Sequence, residues 1–214
     1  MEIIDLEKWP RRKHFEYFDR ADYPYIDVTV QMDITRFPEH VKDRGVKFFP
    51  SLLYVFLKGV NENEEFKYRV LEDGVVKYDS LAASITVPIE GELFAFCRVE
   101  YKKTLPDFLE EVAVKQAEAK KQTGLAGNDW FDVIWVSGAP WGSFTSLSAP
   151  VVDRRMRTIP SFFVGKYYEQ GGKTLLPVAL KVNHALIDGF HIGKLLSHFE
   201  NSFKDPGKLF PSKP

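Results

Sequence analysis

Near the end of the chain, VNHALIDGFHI (Val182 to Ile192) places His184 four residues before Asp188 and follows the aspartate with Gly189. An imidazole titrates near pH 6.5 in water, so a neutral histidine can take up a proton at physiological pH. The run before it, KTLLPVALKV, reads as a strand. After it, Ile192, Leu195, Leu196, Phe199 and Phe203 form the apolar stripe of a helix that starts at about Asp188. His184 therefore stands where a strand stops and a helix begins, with Asp188 at or near the N-cap and Gly189 relaxing the backbone. On spacing alone two readings stay open, a general base held by its neighbours or a structural histidine beside a helix cap.

Other chemistries fit less well. His184, Asp188 and His191 could ligate a metal, but a helix begins between them and no further acid or His cluster completes a shell, so no metal is expected. YYEQGGKT resembles the end of a phosphate-binding loop, yet Tyr167 stands where the first glycine is required and strand follows, so it reads as a hairpin turn. No Gly-x-Ser-x-Gly elbow is present to set up a serine nucleophile. Cys97 is the single cysteine, which rules out an internal disulfide and a cysteine zinc cage; within FAFCRVEY it reads as a small buried hydrophobe.

The elements that must hold these residues are legible from periodicity. YIDVTVQMDIT alternates like a half-buried strand, and FPSLLYVFLKGVNEN puts Leu52, Leu53, Phe56, Leu57 and Val60 on one helical face. Asp73-Gly74 marks a hairpin, further strands are expected at ASITVPI, LFAFCRVEY, FDVIWVSGA and SFFVGKYYEQ, and TLPDFLEEVAVKQAEAKKQ has helical spacing. The expected fold is α/β, a two-layer sandwich of a mixed, mostly antiparallel sheet with helices packed on it. With 214 residues, 44% of them hydrophobic, no repeat and no linker, residues 1–214 read as a single domain, loose only in the tail from about 204 to 214. Lys and Arg number 29 against 30 Asp and Glu, which lacks the basic excess of a nucleic-acid binder. No segment approaches a membrane span and the start lacks a signal-peptide pattern, so a cytosolic protein without nucleic-acid or membrane partners is expected.

Five ordered blocks carry a resemblance. VNHALIDGFHIGKLL resembles the His-His-x-x-x-Asp-Gly signature of the chloramphenicol acetyltransferase family, shared in looser form by the acyltransferase domains of 2-oxo-acid dehydrogenase complexes. EKWPRRKHFEYF, MDIT with VKFFPSLLY, APWGSFTSL, and FFVGKYYEQGGKTLLPVAL are similar to the remaining blocks, in order and over almost the whole chain. The resemblance implies the CoA-dependent acyltransferase fold and a homotrimer with active sites at subunit interfaces. It also implies direct transfer of acetyl from acetyl-CoA, as co-substrate, to a hydroxyl of a small acceptor, with chloramphenicol the expected one and drug resistance the expected role.

By the same resemblance His184 is the base, Ser146 donates to the oxyanion of the tetrahedral intermediate, and Asp188 pairs with Arg11 to hold the loop. Ser143 and Ser148 are expected to bond locally. Lys47, Lys166 and Tyr167 match positions that meet the phosphate and adenine of CoA. Tyr17, Phe18, Phe94 and Phe163 match the acceptor pocket, although Phe18 lacks a tyrosine hydroxyl expected there and Phe163 replaces a threonine. Asn183 replaces the first histidine of the pair, and strand alternation points it to the opposite face from His184. Two rivals remain, a same-fold enzyme for another hydroxylated acceptor and a non-catalytic ligand-binding trimer.

Overall fold

The computed structural model describes residues 1–125, 129–151 and 153–209. Its main sheet has seven strands. β2 (Tyr25–Asp33), β10 (Lys173–Asn183), β8 (Ser161–Gly165), β7 (Val133–Ala139), β5 (Ala82–Ile89) and β6 (Leu93–Val99) lie side by side in that order, and β9 (Tyr168–Gln170) also pairs with β10. The β5/β7 and β7/β8 pairs are parallel and the others antiparallel. A second sheet of three short strands, β1 (Glu2–Ile3), β4 (Gly74–Lys77) and β3 (Tyr68–Leu71), was not separable from the first by periodicity.

The helices are α1 (Arg12–Phe18), α2 (Phe37–Asp43), α3 (Phe48–Glu62), α4 (Leu105–Ala119) and α5 (Gly189–Lys204). Strand alternation sends Phe162, Val136, Ile85 and Cys97 into the core, where Phe162 stacks on Phe56 of α3 and meets Phe199 of α5. α3 and α5 cross so closely that a Cβ on Gly59 would come within 2.7 Å of the Phe199 ring. On the opposite face Phe163, Ser137, Thr86 and Phe96 stay partly exposed. The outcome is the expected two-layer α/β arrangement.

Turns follow the sequence with small shifts. Glu72 and Asp73 occupy the first hairpin turn, and Gly74 supplies the positive φ, +116°. Gly171 and Gly172, both with positive φ, close the β9/β10 hairpin predicted from YYEQGGKT. The tail differs from expectation: after α5 a 3-10 turn at Pro206–Leu209 buries Leu209 against the core, so residues 204–209 are packed, while 210–214 lie outside the described residues. Among the described residues, no helix is long and apolar enough to cross a membrane.

Candidate active site

β10 ends at Asn183, and the His184 backbone N–H donates to the Pro24 carbonyl at 2.8 Å, continuing the pairing with β2 by one step. The chain then turns, and Asp188 caps α5 by accepting from the Phe190 N–H at 3.0 Å. His191 completes a capping box, its Nδ1 accepting from the Asp188 N–H at 3.1 Å. That bond needs an unprotonated Nδ1, and burial holds the His191 pKa below its usual value against the pull of Asp188 and Glu65. Among the described residues, no group of three or more His, Cys, Asp or Glu side chains is placed to hold a metal ion.

The His184 ring is fixed by two contacts. Its Nδ1 lies 3.2 Å from the Ile187 carbonyl oxygen. A carbonyl can only accept, so that nitrogen carries the proton and Nε2 keeps the lone pair. Phe18 stacks on the imidazole, centroids 3.8 Å apart and planes 18° from parallel. Phe18, Tyr17, Tyr23, Pro24 and Tyr25 line, with His184, a cleft of about 410 Å³ that also includes Arg20 and Ala21.

Arg11 reaches this loop from the N-cap of α1. Its Nη1 meets Asp188 Oδ2 at 2.7 Å, while Nε and Nη2 donate to the Ala185 and His184 carbonyls, both at 3.3 Å. Burial opposes charge on Asp188, but the hydrogen bond and charge of Arg11, with the Phe190 N–H, outweigh it and hold the carboxyl below its usual range. Asn183 is buried, and its amide bonds the Ala185 N–H and the Arg157 carbonyl, away from the cleft.

Three expected residues do not line this cleft. Phe163 stands in β8 opposite Ala179, five residues before His184, which a strand rise of ~3.3 Å converts to about 16 Å. Ser146 is exposed in the loop after β7. That loop crosses to β2, where the Phe144 carbonyl accepts from Gln31 Nε2 and Ser148 Oγ donates to Asp27. Gln31 and Asp27 pair with Pro177 and Lys181, so Ser146 lies between those levels, on the order of 10–20 Å from His184. Phe94, 42% exposed on edge strand β6, packs edge-on against Phe96. Ser143 donates to the Lys166 backbone carbonyl, whereas Ser148 departs from the expected local bonding and donates to the side chain of Asp27 across the sheet.

The two lysines and Tyr167 gather at one end of the molecule. Between its pairing with β8 and with β9, β10 is left without a partner on that side at Leu176 and Pro177, and Lys166 and Tyr167 swing out there. The Tyr167 ring then meets Phe48, 5.4 Å between centroids, beside Lys47 at the N-cap of α3. Lys47 and Lys166 are exposed and form no ion pair with any described residue. The first turn of α3 contains no acidic side chain, which leaves a positive corner suited to a phosphate.

Sequence reasoning missed the backbone carbonyls of Ile187, which holds the imidazole, and Pro24, which holds the His184 backbone N–H; neither leaves a residue-type signal. It also missed the His191 cap, whose signal was the histidine at the third helical position after Asp188.

Known proteins resemble the chain over nearly its whole length. Residues 1–200 match the family model described as chloramphenicol acetyltransferase. A chloramphenicol acetyltransferase of Proteus mirabilis is 33% identical over 200 residues, covering 92% of each chain, and one of Clostridium perfringens is 32% identical over 203 residues, covering 91% of each. A solved chloramphenicol acetyltransferase superposes with a TM-score of 0.84 at 27% identity, over 94% of this chain and 99% of that one. The truncated catalytic core of a 2-oxoacid dehydrogenase complex from Thermoplasma acidophilum shares the fold, with a TM-score of 0.69 at 17% identity. Matches that run nearly end to end lead to one conclusion: the chain belongs to the chloramphenicol acetyltransferase family.

Proposed function

We propose that this protein is an acetyl-CoA-dependent O-acetyltransferase acting on a hydroxyl of chloramphenicol, with drug resistance as its role. The observation that carries the reading is the fixed tautomer of His184, with Nδ1 spent on the Ile187 carbonyl and Nε2 beside the cleft. Nε2 takes the proton of the acceptor hydroxyl as that oxygen attacks the thioester carbon. The tetrahedral intermediate then expels the CoA thiolate, which recovers the proton from the imidazolium. No acyl-enzyme forms, and holding both substrates together supplies much of the rate.

Ser146 donates to the oxyanion, a contact typically worth about 3 kcal/mol in the transition state. Arg11 and Asp188 hold the base without relaying its proton. Lys47, Lys166 and Tyr167 receive the phosphate and adenine of acetyl-CoA, and use of that co-substrate supports a cytoplasmic location. The separation of about 16 Å between the levels of His184 and Phe163 supports sites shared between subunits, as in the homotrimer that the family resemblance implies. The reacting acetyl carbonyl must meet the base-bound hydroxyl and the oxyanion donor within hydrogen-bond reach, about 3 Å, which His184 and Ser146 of one chain are too far apart to allow, so His184, Tyr17 and Phe18 of one subunit work against Ser146, Phe94 and Phe163 of its neighbour.

The test is to incubate the protein with acetyl-CoA and chloramphenicol and to follow O-acetylated product and released thiol together. Equal amounts of both are expected. Thiol release and product only with other alcohols would move the reading to a different acceptor, which Phe at positions 18 and 163 favours because two polar contacts are absent from the pocket. Acetyl-CoA binding without turnover on any alcohol would leave a ligand-binding protein.

A further inference from the structure

Helix α1 has no fully buried side chain, yet it presents the ring that lies against the base. Arg11 ties its N-terminal end to the His184 loop. The other end is held by a different guanidinium: Arg157 Nη2 donates to Asp19 Oδ1 at 2.8 Å, with side chains 16% and 28% exposed. Asp19 is the C-cap of α1 and directly follows Phe18. Arg157 closes the 3-10 turn Arg154–Met156 ahead of β8. That turn is itself anchored, because Thr158 accepts from the Val70 N–H at 3.1 Å, Ile159 is buried, and the Arg157 carbonyl meets the amide of Asn183, next to His184.

We propose that Arg157 and Asp19 are positioning residues for the transfer reaction, clamping the C-terminal end of α1 so that Phe18 lies flat on the His184 imidazole. This inference rests on the reading of His184 as the base. The physical need is plain. A single in-plane bond, from Nδ1 to the Ile187 carbonyl, leaves the ring free to rock about that bond. A flat aromatic face at 3.8 Å removes that freedom and holds Nε2 in one direction, but only while the helix carrying it cannot slide. The clamp lies beside the Asn183 end of β10, away from Lys47, Lys166 and Tyr167 near its other end, so its loss acts on turnover and not on acetyl-CoA binding.

The experiment compares wild type, Arg157→Ala, the milder Asp19→Asn, Phe18→Ala and the double variant Phe18→Ala/Arg157→Ala. Steady-state kinetics are combined with the NMR shifts of the His184 ring protons. A reacting group misplaced by about 1 Å can cost about 100-fold. We therefore expect kcat to fall 10- to 100-fold in Arg157→Ala and less in Asp19→Asn, with the KM for acetyl-CoA unchanged. The His184 ring protons should lose the upfield shift that a stacked phenyl imposes, and Arg157→Lys should recover part of both effects. In the Phe18→Ala background, Arg157→Ala should cost no further activity, since its effect passes through that ring. Unchanged His184 resonances in Arg157→Ala and Asp19→Asn, or an equal loss of kcat with and without Phe18, would overturn the inference. Absence of acetyl transfer by the wild type would instead remove the functional reading, and the NMR comparison would still decide whether the clamp sets the ring. Should Arg157→Ala not fold, Asp19→Asn carries both measurements.

Discussion

Replacing Arg11 by alanine removes three hydrogen bonds at once, to Asp188 Oδ2 at 2.7 Å and to the Ala185 and His184 carbonyls at 3.3 Å. The Arg11 and Asp188 side chains are 14% and 30% exposed, so the pair lies between two known limits. An exposed pair contributes about 0.2–1 kcal/mol, and breaking a buried one costs about 3–5 kcal/mol. The long bonds to carbonyls contribute about 0.5 kcal/mol each. Discounted for solvent, the sum is about 2–3 kcal/mol, and at about 2–4 °C per kcal/mol for a chain of this size Tm should fall by about 4–12 °C. Activity should suffer more than stability. The loop that loses Arg11 is the one carrying His184, the proposed base, and a displacement of about 1 Å costs about 100-fold. The assay is acetyl transfer measured well below the lowered Tm, alongside thermal unfolding followed by circular dichroism. A kcat within twofold of wild type, in a protein whose Tm has dropped as calculated, would refute the view that the pair exists to hold the imidazole.

Mixing the two inactive variants His184→Ala and Ser146→Ala, then unfolding and reassembling them together, should restore activity. If each site takes its base and its oxyanion donor from different subunits, random assembly makes about a quarter of sites intact; no recovery would mean that one chain supplies both. The double variant Lys47→Ala/Lys166→Ala should raise the KM for acetyl-CoA about tenfold or more, reading from two lost charge-assisted phosphate contacts, while leaving the KM for the acceptor unchanged; titration of binding by calorimetry checks it. The depressed pKa of Asp188 stabilises the fold fully above the unfolded carboxyl value of about 3.9, and this contribution is lost as pH falls through the lower folded value. Acid unfolding followed below pH 4 should therefore be less steep in Asp188→Asn, and an identical acid limb would exclude the Arg11 pair as its source.

How far the sequence reaches is clearest at the ends of β10. The junction of strand and helix at His184, the cap at Asp188 and the stripe on α5 were all readable, because each follows from local periodicity and from residue types with few uses. The Arg11 to Asp188 pair spans 177 residues and came from resemblance alone, since no local pattern encodes so distant a contact. Short elements were lost: α2, with seven residues, and the two-residue strand β1 are too brief for a period to show. Leu209 was misjudged with the tail because the Pro and Gly residues around it suggest a coil, whereas tertiary packing draws that leucine into the core. The residues proposed for the acceptor came from the resemblance alone, and their division between two regions of the sheet became visible only through the β10 register with β2 and β8.

The central claim is that His184 Nε2 is the base of a direct transfer, and the measurement that tests it is thiol release from acetyl-CoA with and without chloramphenicol, for the wild type and His184→Ala side by side. Acceptor-dependent release is expected from the wild type, reduced in the variant by about 100- to 10,000-fold, the span general-base catalysis supplies. Release at the wild-type rate by a folded His184→Ala protein would contradict it.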